Sequence, residues 1–251
     1  METERCRVYE EDIFESFTGG AIRPGGIELT DKAIRFCNLP AGSKILDVGC
    51  GSGVTVEHLC EKYQLDAAGM DPSDVLLTRG LKRNPKLNLF KGYGENIPYP
   101  DRTLDAIITE CSLSLMKDTD RVLKEFYRVL KPEGMLIITD LYWKEFEEGS
   151  DFQQIPADCC INGAFSEENL KRKLTDAGFR VCLWQDHTDV YYSFIARIIF
   201  YCGSMEAFWK EIYGQDEEKS RQIQKMVSKM KLGYFLLIAQ KSEAKEQMQK
   251  G

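Results

Sequence analysis

Histidine is almost absent from this 251-residue sequence, with only His58 and His187 present. Zinc and iron sites built on imidazole draw on several such ligands, so no metal centre is expected. Basic charge is also in deficit: 33 Lys and Arg face 40 Asp and Glu, giving a net charge of -7. A phosphate backbone would find no positive field, which argues against a nucleic-acid partner. No apolar run is long enough to span a bilayer, and the charged opening from Met1 to Asp12 has no signal-peptide core. These absences predict a cytoplasmic protein with no membrane partner. Cysteine, by contrast, is plentiful. Nine residues form an odd set, and without a secretion signal they are expected as reduced thiols, with Cys37, Cys60, Cys182 and Cys202 filling the core as small hydrophobes.

What is present is organised around Ile45-Leu-Asp-Val-Gly-Cys-Gly-Ser-Gly53. A short apolar run reads as a buried strand, and the glycines let the chain turn tightly into a helix starting near Val54. Backbone N–H groups at such a turn face outward unpaired, and a ligand can lie close against them. The dinucleotide version needs G-x-G-x-x-G. Val54 or Val56 occupies the third glycine position in the two available registers, so NAD and FAD are disfavoured. Asp47, at the strand end, would repel a pyrophosphate but suits an ammonium group. With Asp47 at its head, the segment resembles motif I of the class I S-adenosylmethionine-dependent methyltransferases.

Alternating strand and helix patterns follow. Leu65 to Asp71 is a strand ending in an acid 18 residues after Gly53, the spacing at which a carboxylate reaches ribose hydroxyls. Pro72 and Ser73 open the next helix, capped by Ser73 or Asp74. Leu104 to Cys111 is a fourth strand that delivers Glu110 and Cys111 to its carboxyl end. Arg121 to Leu130 is an amphipathic helix that Lys131-Pro-Glu-Gly134 terminates before the strand Met135 to Asp140. Before motif I, Phe17 to Gly26 holds four glycines and a proline, the composition of a loop that can fold over a site, with Arg23 as its one charge. Arg23 reads either as a carboxylate clamp or as a solvated loop charge. More than forty residues of helical pattern precede the last strand, Gly233 to Gln240, and a charged tail, Lys241 to Gly251, closes the chain. His187 stands at a strand end, where it reads either as a general base or as a hydrogen-bonded loop residue.

Two further segments extend the resemblance. Gly94-Glu-Asn-Ile-Pro98 is similar to the G-D-A-E-x-L-P-F stretch of type 11 methyltransferases, although Tyr93 stands at the aspartate that reads adenine there. The R-V-L-K-P-x-G run ending at Gly134 also matches. Cys111 and Cys160-Ile-Asn-Gly-Ala164 resemble segments of arsenite methyltransferases, but Val56 replaces the third thiol of that group. The R-P-G-G and D-H-T segments are similar to a further group of bacterial methyltransferases.

The resemblance implies an α/β fold: a Rossmann-like seven-stranded sheet with a reversed final strand and helices on both faces. One methyltransferase domain over 1–251 is expected, divided into an N-terminal helix and lid (1–39), a cofactor-binding core (40–187), a helical cap (188–232) and the last strand and tail (233–251). The implied cofactor is S-adenosyl-L-methionine. Its candidate contacts are Asp47, Gly49, Cys50, Gly51, Gly53, Asp71, Pro72, Tyr93, Gly94, Glu95, Asn96, Glu110, Cys111 and Arg23. The partner is a small-molecule methyl acceptor, with a soft one (a thiol or As(III)) open. Candidate catalytic groups are Cys111, Cys160 and His187. A non-catalytic S-adenosylmethionine-binding regulatory protein is the alternative.

Overall fold

The computed structural model describes residues 8–11, 20–145, 155, 159–213 and 216–242. Phe17 to Gly19 and the tail beyond Ser242, both named in the sequence reading, lie outside them. In chain order the elements are α1 (Gly26–Cys37), β1 (Lys44–Val48), α2 (Val54–Tyr63), β2 (Asp66–Asp71), α3 (Asp74–Arg83), β3 (Leu89–Lys91) and β4 (Leu104–Glu110). Then come α4 (Thr119–Val129), β5 (Leu130–Trp143), β6 (Phe165–Ser166), α5 (Glu167–Asp176), β7 (Phe179–Asp186), α6 (Thr188–Cys202), α7 (Met205–Ile212), α8 (Glu217–Val227) and β8 (Leu232–Lys241).

Seven strands form the path β3-β2-β1-β4-β5-β8-β7, with β8 antiparallel to both of its neighbours. The two-residue β6 pairs with β5 and makes an eighth strand, which the sequence reading missed because so short a pairing has no periodicity. Both faces of the sheet are covered, so successive residues of one strand enter different cores. In β8, Phe235, Leu237 and Ala239 join Phe126, Leu170 and Leu174 on one face, while Tyr234, Leu236 and Ile238 join Leu29, Val56 and Leu59 on the other. This explains why β8 reads as an unbroken apolar run.

The helices obey their end signals. Ser73 accepts from the Leu76 N–H at 3.2 Å to cap α3, and Ser166 accepts from the Asn169 N–H at 3.2 Å to cap α5. The Lys131-Pro-Glu-Gly134 segment departs from expectation. It ends α4 but already belongs to β5, where Leu130 pairs with Leu104 before a register shift restores pairing at Met135 and Ala106. A bulge absorbs the residues a turn was expected to hold. Cysteine use also differs in part: Cys60 is exposed, whereas Cys37 packs against the core, and every described cysteine is a free thiol.

α6, α7 and α8 occupy the chain between β7 and β8 and build a core of their own from Ile198, Phe208, Trp209, Ile212 and Ile223. That core sits beyond the carboxyl ends of β4 and β5, the side of a parallel sheet on which ligands bind.

Candidate active site

β1 ends at Val48, and Gly49, Gly51 and Gly53 follow with φ of 84°, 54° and 74°, in the left-handed region. Gly49 is doubly constrained, because a Cβ there would lie 2.3 Å from the Ser112 Cβ. Ser112 cannot withdraw easily, since its Oγ donates to the Val48 carbonyl at 2.7 Å. The Gly51 N–H donates to Asp71 Oδ2 at 2.8 Å and the Ser73 N–H to Asp71 Oδ1 at 2.8 Å. One carboxylate thus ties the β1 turn to the β2 turn around exposed Pro72. Cys50 contributes backbone only: its thiol is turned to β2, where a Cβ on Gly69 would meet it at 2.7 Å.

Asp47, Asp71 and Glu110 are all buried at this end of the sheet. Glu110 accepts from the Thr30 hydroxyl at 2.8 Å and the Thr55 hydroxyl at 2.9 Å, and pairs with Arg23 at 2.8 Å. Arg23 Nη2 also donates to Thr30 and Thr55 at 2.7 and 2.9 Å. Arg23 is therefore no solvated loop charge. It is buried, and its Nε–H has no acceptor. The described part of the glycine loop lies on the start of α2, where a Cβ on Gly20 would stand 2.9 Å from Val54. Burial, then the neighbouring Glu110, push the Asp47 carboxyl well above the usual carboxylate range; Arg23 opposes them and Asp71 adds to them. Among the described residues, Arg23 supplies the guanidinium paired within this set of three buried acids. Arrangements of this kind favour a cationic ligand.

The loop after β3 separates its expected contacts. Tyr93 is exposed and its carbonyl accepts from the Asn96 N–H at 3.0 Å, leaving both side chains at the rim. Glu95 Oε1 instead accepts from the Lys117 N–H at 3.1 Å and the Asp118 N–H at 3.4 Å, a role in holding the chain before α4. Gly94 is buried where a Cβ would meet the Met116 sulfur at 2.6 Å.

Beyond β4, Cys111 takes φ 53° and donates its thiol to the Tyr234 hydroxyl at 3.3 Å. The Cys111 and Cys160 thiols and an Asp140 carboxylate oxygen lie within 4.8 Å of one another. The Cys160 N–H donates to the Tyr9 hydroxyl at 3.1 Å. Contact with the Cys160 thiol, and then burial, push the Cys111 thiol up, so it is held neutral. Burial raises Asp140 to about 6 although it accepts from the Ser114 N–H, the Ser114 hydroxyl and the Leu141 N–H. The two sulfur residues also line an apolar cavity roofed by α6 and α7.

His187 is not brought there. It precedes α6 with Nε2 3.4 Å from Lys32 Nζ, and burial followed by Lys32 lowers its pKa. Among the residues the sequence reading missed are Thr30, Thr55, Ser112, Asp140 and Tyr9. Each has a partner between 26 and 151 positions away, beyond the reach of local pattern.

Comparison with known proteins agrees with this geometry. Residues 46–138 match the methyltransferase domain family model. The chain is 27% identical over 188 residues to phosphoethanolamine N-methyltransferase 3 of Arabidopsis thaliana, covering 72% of this chain and 38% of the relative's length. Among solved structures, the phosphoethanolamine N-methyltransferase 2 of Haemonchus contortus in complex with S-adenosyl-L-methionine superimposes with a TM-score of 0.74 at 18% identity, over 94% of this chain and 57% of that one. The [4+2]-cyclase SpnF does so with a TM-score of 0.70 at 24% identity, over 86% and 80%. The chain thus spans under two fifths of the length of the Arabidopsis relative, and the fold it shares also carries a protein named for a different reaction. Residues 46–138 thus match a methyltransferase domain, and the strand order and glycine turn are similar to those of the class I S-adenosylmethionine-dependent methyltransferases.

Proposed function

We propose that this protein transfers a methyl group from S-adenosyl-L-methionine to a small-molecule acceptor. The observation that carries the reading is the set of three buried carboxylates at the glycine turn, one of them paired with Arg23. In this reading the bound cofactor supplies a methyl activated by a positive sulfonium. Asp47 takes the ammonium group, Asp71 the ribose hydroxyls, and the unpartnered Arg23 Nε–H the cofactor carboxylate. Gly49, Gly51 and Gly53 allow close approach of the backbone, and Gly94 and Asn96 stand at the adenine side. Glu110 positions Arg23 with Thr30 and Thr55.

Little acid–base chemistry is required. Holding a nucleophile in line with the methyl contributes about 7–11 kcal/mol. The cap helices α6 and α7 exclude water from the cavity beside Cys111. We propose that the described part of the glycine loop and this cap close over the two ligands.

A soft acceptor, a thiol or As(III), is the second reading. The approach of Cys111 and Cys160 favours it. Such a ligand would have to displace the Cys111 thiol proton, which the Cys160 contact and burial hold in place. Two measurements test these readings. Calorimetry with S-adenosylhomocysteine should give micromolar-range binding, and no binding would end the cofactor assignment. A labelled-methyl assay on candidate acceptors separates an enzyme from a regulatory binding protein. Methylation of trivalent arsenicals that Cys111→Ser and Cys160→Ser abolish would select the soft acceptor.

A further inference from the structure

The cavity beside Cys111 carries information about what is methylated. Its walls come from the residue after Glu110, from Ile22 and Pro24 on either side of Arg23, from the Cys159–Ile161 segment and from the inner faces of α6 and α7. The cofactor cluster and the cavity are therefore built on adjacent residues of the same strand end and the same loop, and a ligand in one borders a ligand in the other. On the cap side the lining is Tyr191, Phe194, Ile195, Ile198, Phe208 and Trp209. No Lys, Arg, His, Asp or Glu is among the described residues that line it.

We propose that the methyl acceptor is an uncharged, largely apolar, ring-bearing molecule seated between Cys111 and the α6–α7 aromatic wall, and that phosphorylated amines are excluded from this pocket. The inference rests on the methyl-transfer reading above and narrows its acceptor. A phosphate dianion placed here would lose its hydration with no cation among the described lining residues to replace it, at a cost far above what apolar contact returns. The groups present cannot supply that charge. Burial raises the pKa of Tyr9 and Tyr191, and the Cys160 contact followed by burial raises that of Cys111, keeping all three neutral at physiological pH. An apolar ring gains instead by burying its faces against aromatic side chains, which favour offset or edge-on stacking.

The test is a titration of the full chain, saturated with S-adenosylhomocysteine at pH 7.5, with quinoline and with phosphoethanolamine, following Trp fluorescence and heat. Quinoline, uncharged at this pH, is expected to bind at least about tenfold more tightly than phosphoethanolamine. Ile195→Asp, which puts a charge into a partly exposed wall position, should weaken quinoline about tenfold while S-adenosylhomocysteine affinity stays within about twofold. Ile195→Trp, which fills the space without charge, should weaken quinoline as well and serves if the Asp variant does not fold. Tighter binding of phosphoethanolamine than of quinoline overturns the proposal. So does wild-type quinoline affinity in a folded Ile195 variant. Failure of the cofactor reading is separable, because S-adenosylhomocysteine binding is measured first and quinoline can also be titrated into the cofactor-free protein.

Discussion

Two chambers meet at the carboxyl end of β4, and they are built from opposite materials. On the Glu110 side, buried carboxylates, hydroxyls and a guanidinium are tied by hydrogen bonds of 2.7–2.9 Å. On the Cys111 side, one residue later, the wall is thiol, aromatic and aliphatic, with no charge among its described members. The first chamber is rigid because buried charges are stable only when their partners are fixed. The second is held by non-directional packing from the cap. Cys111 follows the end of β4 in the left-handed region, with φ 53°, and packs with Ala106 and Ile108, so the turn that ends the strand furnishes both.

The sharpest way to break this comparison is at Gly49. Gly49→Ala forces a Cβ against Ser112 at a φ of 84°, adding backbone strain of about 1–3 kcal/mol to a similar overpacking cost. S-adenosylhomocysteine binding should disappear in calorimetry and the Tm should drop by several degrees. A variant that binds normally would show that the turn is not the cofactor cradle.

Asp71→Ala comes next. It removes the carboxylate that accepts from Gly51 and Ser73 and, in the proposed role, the ribose contact. Hydrogen bonds to charged groups contribute roughly 1.5–3 kcal/mol, so Kd for S-adenosylhomocysteine should rise by about one to two orders of magnitude. Unchanged Kd in a folded variant would take Asp71 out of the site.

Asp140 lies at the seam between the chambers and supplies a pH signature. Its folded pKa, raised by burial to about 6, exceeds the unfolded carboxylate value, so between about pH 4 and pH 6 the native state binds more protons than the unfolded state. The Asp140 contribution is then fully present below pH 4 and is lost as pH rises through about 6. Chemical denaturation of wild type and Asp140→Asn over this range should diverge by up to about 2–3 kcal/mol, and parallel curves would refute the shift.

The smallest effect is expected at Glu95. Glu95→Gln leaves one acceptor oxygen for the Lys117 and Asp118 N–H groups, so S-adenosylhomocysteine affinity should change by less than about twofold with a Tm loss of a few degrees at most. A tenfold loss of affinity would return Glu95 to the ligand contacts.

The same contrast governs what could be read before the structure. The turn was legible because its requirements are local: positive φ at three glycines, the buried run Ile45-Leu-Asp-Val48 before it, which carries one acid, and another acid at the end of β2. Arg23 was only half legible. Its loop composition suggested a lid, but its burial against Glu110 depends on Thr30 and Thr55 coming from two different helices. The Cys111 and Cys160 thiols could be suspected of sharing a pocket, yet the neutral state of Cys111 follows from the approach of Cys160 and from burial, neither of which leaves a trace in local pattern.

By itself, then, the sequence determined the alternation of strands and helices, the capped helix starts, the glycine turn and the class of cofactor, because each of these depends on backbone preferences and spacing within a few residues. Only the tertiary structure decided which acids share a guanidinium, that His187 stays out of the pocket, that Glu95 serves the backbone, and that the described wall of the second chamber carries no charged side chain. Those outcomes depend on burial and on partners tens of residues apart, and a charge or a thiol takes its chemical character from the surroundings that folding brings to it.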